Sequence, residues 1–103
     1  MRRGEVWWYE PPDEKPRPVL ILTRDEAIGR LNKLIAIPIT RTIRGIGTEV
    51  QLDGSDGMLA SCAINLDNTS LARKALLTNR LATLGSEKMD EVCRALTTAT
   101  GCS

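Results

Sequence analysis

Apolar residues in this chain come in short bursts, and several of them are closed by clusters of proline, glycine or aspartate. Pro11-Pro12-Asp13-Glu14-Lys15-Pro16 follows the first, and Asp53-Gly54-Ser55-Asp56-Gly57 follows a later one. Proline lacks a backbone N–H and glycine has no side chain to restrict it, so such clusters end strands and helices. The bursts between them have the length of strands, and none approaches the roughly 20 apolar residues of a membrane helix. A chain of 103 residues divided in this way has room for one small domain built mainly of strands. A domain of this size buries roughly 60–70% of the surface that its unfolded chain exposes.

The first burst, Gly4 to Tyr9, is rich in aromatic and β-branched residues and reads as a strand, and the Pro-rich stretch after it reads as a polar loop. Pro18 to Thr23 is a continuous apolar run that suits a buried strand opening on a proline. Arg24 to Arg30 is left as a helical turn or a loop. Leu34 to Thr40 is a third strand, in which Pro38 implies an edge position or a bulge. Thr48 to Leu52 alternates like a half-exposed strand, Met58 to Leu66 gives a fifth, and Asn79 to Leu84 a last one. Asp67-Asn68-Thr69-Ser70 reads as a turn that caps a short helix through Lys74.

One helix is well signalled. Ser86 is placed to cap it, Glu87, Asp90 and Glu91 favour its positive N-terminal end, and Gly101 stops it. Met89, Val92, Cys93 and Leu96 recur at helical spacing as one apolar stripe facing a core. The fold class expected is α+β: a small, mainly antiparallel barrel or sandwich with helices packed on it, residues 1–103 forming one domain.

Two absences narrow the chemistry. The sequence has no histidine, so imidazole catalysis and histidine-containing metal sites are excluded. Cys62, Cys93 and Cys102 form no C-x-x-C pair and read as buried or idle thiols. The formal net charge of +1 is unevenly spread: residues 1–48 hold nine Lys/Arg against six Asp/Glu, and residues 49–103 hold five against seven. Ten of the fourteen basic residues are arginine, whose planar fork matches phosphate oxygens. A basic N-terminal half permits contact with nucleic acid. The N-terminus lacks the apolar stretch of a signal peptide, so a cytoplasmic location is expected.

Four blocks, in order, resemble the MazF/PemK family of toxin endoribonucleases from type II toxin–antitoxin systems. Arg2-Arg3-Gly4-Glu5-Val6-Trp7 resembles the family's opening R-G-[DE]-[IV]-[WY], and Arg17-Pro18-Val19-Leu20-Ile21-Leu22 its R-P-x-[LV]-[IV]-[LI]. Ile37-Pro38-Ile39-Thr40 resembles its [VI]-P-[IL]-T. Cys62 to Asn68, Arg80-Leu81 and the helix ending Thr100-Gly101 resemble the closing pattern. The fold that this resemblance implies is a small SH3-like antiparallel β-barrel with short helices and a C-terminal helix, forming a homodimer.

The activity implied is sequence-specific, metal-independent cleavage of single-stranded RNA, without a cofactor. The ribose 2′-hydroxyl attacks the adjacent phosphorus and leaves 2′,3′-cyclic phosphate and 5′-hydroxyl ends. In the family pattern Arg17 and Thr40 match the catalytic positions. Glu14, in the loop before Arg17, stands where some relatives carry a base, with Asp13 beside it. Asp67 matches an acidic position of other relatives, but Asn65 replaces their arginine. Asn65, Asp67 and Asn68 therefore read as base-edge contacts. Lys15, Arg41, Thr42 and Arg44, with Arg3, are the expected contacts along the RNA strand. Trp7 and Trp8 point to opposite faces of their strand, one into the core and the other free to support a dimer or stack on a base.

The implied regulator is a cognate antitoxin whose flexible C-terminal segment covers the RNA groove. Neither membrane association nor direct DNA binding is expected. Two alternatives keep the same fold: a catalytically inactive RNA-binding barrel, and a toxin that poisons DNA gyrase by binding it.

Overall fold

The computed structural model describes residues 1–102. Its strands are β1 (Glu5–Tyr9), β2 (Arg17–Ile21), β3 (Lys33–Thr40), β4 (Glu49–Leu52), β5 (Cys62–Asn65), β6 (Ser70–Arg73) and β7 (Leu77–Thr83). They form one antiparallel sheet in the order β4-β5-β3-β2-β1-β7, with β6 also paired to β3. A short helix α1 (Asp25–Ile28) and the terminal helix α2 (Ser86–Thr100) complete the α+β architecture.

Side chains alternate along a strand, so the sheet has two apolar faces and each closes its own core. Val6, Leu20 and Ile37 lie level across β1, β2 and β3, and Ile39, Ile64 and Val50 across β3, β5 and β4. Helix α2 packs on this face through Val92 and Ala95, with Met89, Leu96 and Ala99 partly buried beside them. On the other face Tyr9, Val19, Ile21, Leu34 and Ala36 meet Ile28 of α1 and Ala72 of β6.

Several expectations need correction. Residues 70–73 are a strand, not the end of a short helix. Ser-Leu-Ala-Arg carries no strong local preference, and pairing with Lys33–Ala36 of β3 decides its conformation. The run Met58 to Leu66 is a strand only over Cys62–Asn65. Pro38 lies neither at an edge nor in a bulge. It falls where β3 changes partner, Ala36 still opposite Ser70 of β6 and Ile39 already opposite Ile64 of β5. A missing N–H costs nothing where the ladder is already interrupted. In α2 the capping position is Gly85, without a side-chain cap, and Ser86 is the first helical residue. Cys93 is exposed, and Ala95 completes the buried stripe in its place.

The strands Pro18–Thr23, Leu34–Thr40, Thr48–Leu52 and Asn79–Leu84 all appear, with no end shifted by more than two residues. The turn at residues 53–57 is a 3₁₀ turn closed by an Asp53–Asp56 capping box. It ends on Gly57 at φ 91°, where a Cβ would meet Ala82 at 3.3 Å. Only glycine fits there without strain.

Candidate active site

Arg17 and Thr40 sit at neighbouring strand ends. Arg17 opens β2, and Thr40 closes β3. The antiparallel register Val19↔Pro38, Leu20↔Ile37, Ile21↔Ala36 stops two residues short of both, so Arg17 and Thr40 lie at the same open end of the β2–β3 pair.

The Arg17 guanidinium is half-exposed. Its Nη2 donates to Glu14 Oε1 at 2.9 Å, and its Nε to the Lys15 carbonyl at 3.4 Å. The Pro-rich loop thus folds back on the arginine that follows it. Thr40 Oγ1 accepts the Thr42 N–H at 3.1 Å. That bond uses a lone pair and leaves the hydroxyl hydrogen free to donate.

A groove of about 560 Å³ opens beside these strand ends. Trp8, Pro18, Ile39, Thr40 and Arg41 line one side, and the 57–62 segment, Arg80 and Leu81 the rest. Cys62 belongs to this wall. Burial, and secondarily the Asp56 carboxylate, push its thiol above the ordinary value and keep it protonated. Trp8 faces the groove, whereas Trp7 packs against the second core and donates its Nε1–H to Glu5 Oε1 at 3.0 Å. Neither tryptophan is fully buried.

The expected site residues divide by position. Glu14, Lys15, Arg17, Thr40, Arg41 and Thr42 gather at the open ends of β2 and β3. Arg44 is exposed further along the loop between β3 and β4. Asn65, Asp67 and Asn68 stand apart, at and beyond the end of β5. Asn65 is buried, and its Oδ1 accepts the Asp67 N–H at 2.9 Å, so its side chain serves a 3₁₀ turn. Asp67 Oδ2 accepts the Thr48 hydroxyl at 2.7 Å, while Asn68 is exposed. Arg3 lies elsewhere: its N–H donates to Asp25 and its Nη2 to Cys93 Sγ on α2. Sequence reasoning missed Arg80 as a groove residue and Glu49 as a loop ligand. Nothing local marks either, because their partners are distant in sequence or belong to an irregular loop.

Glu5 is the most deeply buried charged residue among those described, and its Oε2 lies 3.4 Å from Nη1 of the groove residue Arg80. Burial pushes its carboxyl up, but hydrogen bonds from Trp7, the Arg2 backbone and Arg80 together outweigh it and hold Glu5 below the usual range. An unfolded glutamate titrates near 4.5, so this stabilisation is complete above that pH. It is lost as pH falls through the lower folded value. Glu5→Gln is expected to lower Tm at pH 7 and to flatten the fall in Tm between about pH 5 and pH 3. Thermal scans across that range check it, and an unchanged slope would remove Glu5 from the account of acid unfolding.

Residues 2–100 match the family model of the PemK-like, MazF-like toxins of type II toxin–antitoxin systems. The chain belongs to that family. It is 45% identical to a probable endoribonuclease MazF5 of Mycobacterium tuberculosis, over 98% of this chain and 94% of that one. It is 35% identical to a probable endoribonuclease MazF2 of the same organism, over 99% of this chain and 100% of that one. Among solved structures, a mycobacterial endoribonuclease in complex with its cognate antitoxin superposes with a TM-score of 0.89 at 26% identity, covering 100% and 97% of the two chains. The Mycobacterium tuberculosis toxin MazF-mt6 gives 0.88 at 28% identity, covering 96% and 98%. The family, the barrel-like fold and the class of enzyme, an endoribonuclease toxin, thus agree with the reading of the sequence. Among the described residues no helix is long and apolar enough to cross a membrane.

Proposed function

We propose that this endoribonuclease toxin cuts single-stranded RNA at specific sequences by attack of the 2′-hydroxyl on the adjacent phosphorus, with no metal taking part. The nucleophile comes from the substrate, so the protein has to position, move a proton and stabilise charge on the phosphorane. The observation that carries this reading is the placing of Arg17 and Thr40 at the same end of the paired strands β2 and β3, with Glu14 2.9 Å from the guanidinium.

In the free protein Glu14 occupies Arg17. A phosphate entering the site takes over the guanidinium's donors in a bidentate contact. That releases the Glu14 carboxylate to accept the 2′-proton. Thr40 donates its free hydroxyl hydrogen to a phosphate oxygen. The 2′-oxygen–phosphorus bond forms as the bond to the 5′-oxygen breaks, and the leaving oxygen takes its proton from solvent. Lys15, Arg41, Thr42 and Arg44 hold the flanking strand, and Asp67 and Asn68 read bases beyond it. Asn65 has a structural role in this scheme, because its side chain is buried and already bonded.

The exposed leucines on the rim of the groove support a homodimer. Leu59 is fully exposed and Leu81 is 43% exposed, and a second copy covers such a surface. A cognate antitoxin silences the toxin by laying an acidic, apolar C-terminal segment over the arginines of the site. The site of action is the cytoplasm, where RNA is.

The test is end-group analysis of a long single-stranded RNA incubated with the protein in excess EDTA. Discrete cuts with 2′,3′-cyclic phosphate and 5′-hydroxyl ends are expected. No cutting by folded, antitoxin-free protein would sink the proposal, and 3′-hydroxyl ends would overturn its chemistry.

A further inference from the structure

The loop from Arg41 to Gly47 has no regular structure, and every residue in it is exposed. It nevertheless connects Thr40 to the arginines expected along the RNA strand. An eight-residue β3 ends immediately before it, and at that end Thr40 Oγ1 accepts the Thr42 N–H at 3.1 Å. Gly45, at φ 68° with open space around it, and Gly47 make it looser.

Glu49, the first residue of β4, holds this loop. Its Oε1 accepts the N–H groups of both Arg44 and Gly45, at 2.9 and 3.0 Å. Its own N–H donates to the Ile46 carbonyl at 3.0 Å. Successive backbone N–H groups converging at a left-handed residue form a small anion-binding concavity, and here the anion is a side chain of the same chain. The far end is pinned separately, by Thr48 Oγ1 to Asp67 Oδ2 at 2.7 Å and by Leu66 N–H to the Thr48 carbonyl at 2.9 Å.

From this geometry we infer that Glu49 is a positioning residue for RNA binding, fixing the loop so that Arg41 and Arg44 are pre-set beside Thr40. This rests on the reading of the site proposed above. Glu49 touches no substrate in this scheme; it acts through the loop backbone. Without it, the ordering of the loop would be charged against substrate binding, whereas the chemical step would be untouched.

The experiment compares wild type, Glu49→Ala, Glu49→Gln and Gly45→Ala on one RNA containing the cleavage site. Glu49→Ala is expected to raise KM about tenfold with kcat within about twofold of wild type. Glu49→Gln keeps an acceptor oxygen for both N–H groups and restores KM to within about threefold. Gly45→Ala strains the same loop from the backbone side, where a Cβ meets nothing, and raises KM in the same direction. Amide hydrogen exchange at Arg44 and Gly45 accelerates in Glu49→Ala, a readout that needs no RNA. Should wild type cut no RNA, the proposed function has failed, and exchange still tests the clamp. Should wild type cut and Glu49→Ala keep its KM, or lose kcat instead, the inference is overturned. If Glu49→Ala does not fold, an unchanged KM in Gly45→Ala overturns it equally.

Discussion

Arg17→Ala is expected to lower kcat by about 10³ and to leave Tm within a few degrees of wild type. Two magnitudes set this result. A donor aimed at charge that develops in the transition state is worth roughly 10²–10³ in rate even when it is a single neutral group, and Arg17 brings a charged fork. Its contribution to stability is small by comparison. The Arg17–Glu14 pair lies three residues apart with side chains 36% and 52% exposed, and exposed pairs of this kind are worth about 0–1 kcal/mol. Arg17→Lys keeps the charge and loses the fork, and is expected to recover little of the activity. Single-turnover cleavage and a thermal scan on the same samples decide the matter. A Tm loss above about 10 °C, which for a domain of this size is more than 1 kcal/mol, would make Arg17 a structural residue instead.

Leu20→Ala is expected to cost about 2–5 kcal/mol of stability. Leu20 is fully buried at the middle of β2, level with Val6 and Ile37 in the core that α2 closes. Its neighbours are held in place by ladders on both sides, so the void left by truncation cannot collapse fully. A domain of this size has only about 5–15 kcal/mol in total. At about 4–8 °C per kcal/mol, the expected fall in Tm exceeds about 8 °C. Chemical denaturation with an unchanged m-value checks that the effect lies in the folded state. A shift of only two or three degrees would mean that the strands around Leu20 repack freely, contrary to their pairing.

Much of the molecule was legible in residue order. Apolar bursts between Pro- and Gly-rich breaks located β1 to β5 and β7, because hydrophobic runs and breakers act on their own neighbourhood. The spacing of Met89, Val92 and Leu96 located the helix that closes the first core. Cys93 shows where such a pattern misleads: it sits one position from Val92 on the edge of the stripe, and the rotation of α2 on the sheet buries Ala95 in its place. The pair proposed as catalytic was legible only as a resemblance. Arg17 and Thr40 are 23 positions apart, and no local rule brings them together.

Residue order alone therefore specifies the set of elements, their breaks, and the residue types available for chemistry: arginines, hydroxyls and carboxylates, with no imidazole. Tertiary structure alone decided that Ser70–Arg73 is a strand, that Pro38 sits where β3 exchanges partners, and that Asn65 turns inward. It also decided that Glu49 seizes two amides of the basic loop. The division has a physical cause. Turns, caps and amphipathic spacing are settled within a few residues, whereas strand register, partner choice and the capture of loop N–H groups depend on segments distant in sequence. Their free energies arise only when the sheet is assembled.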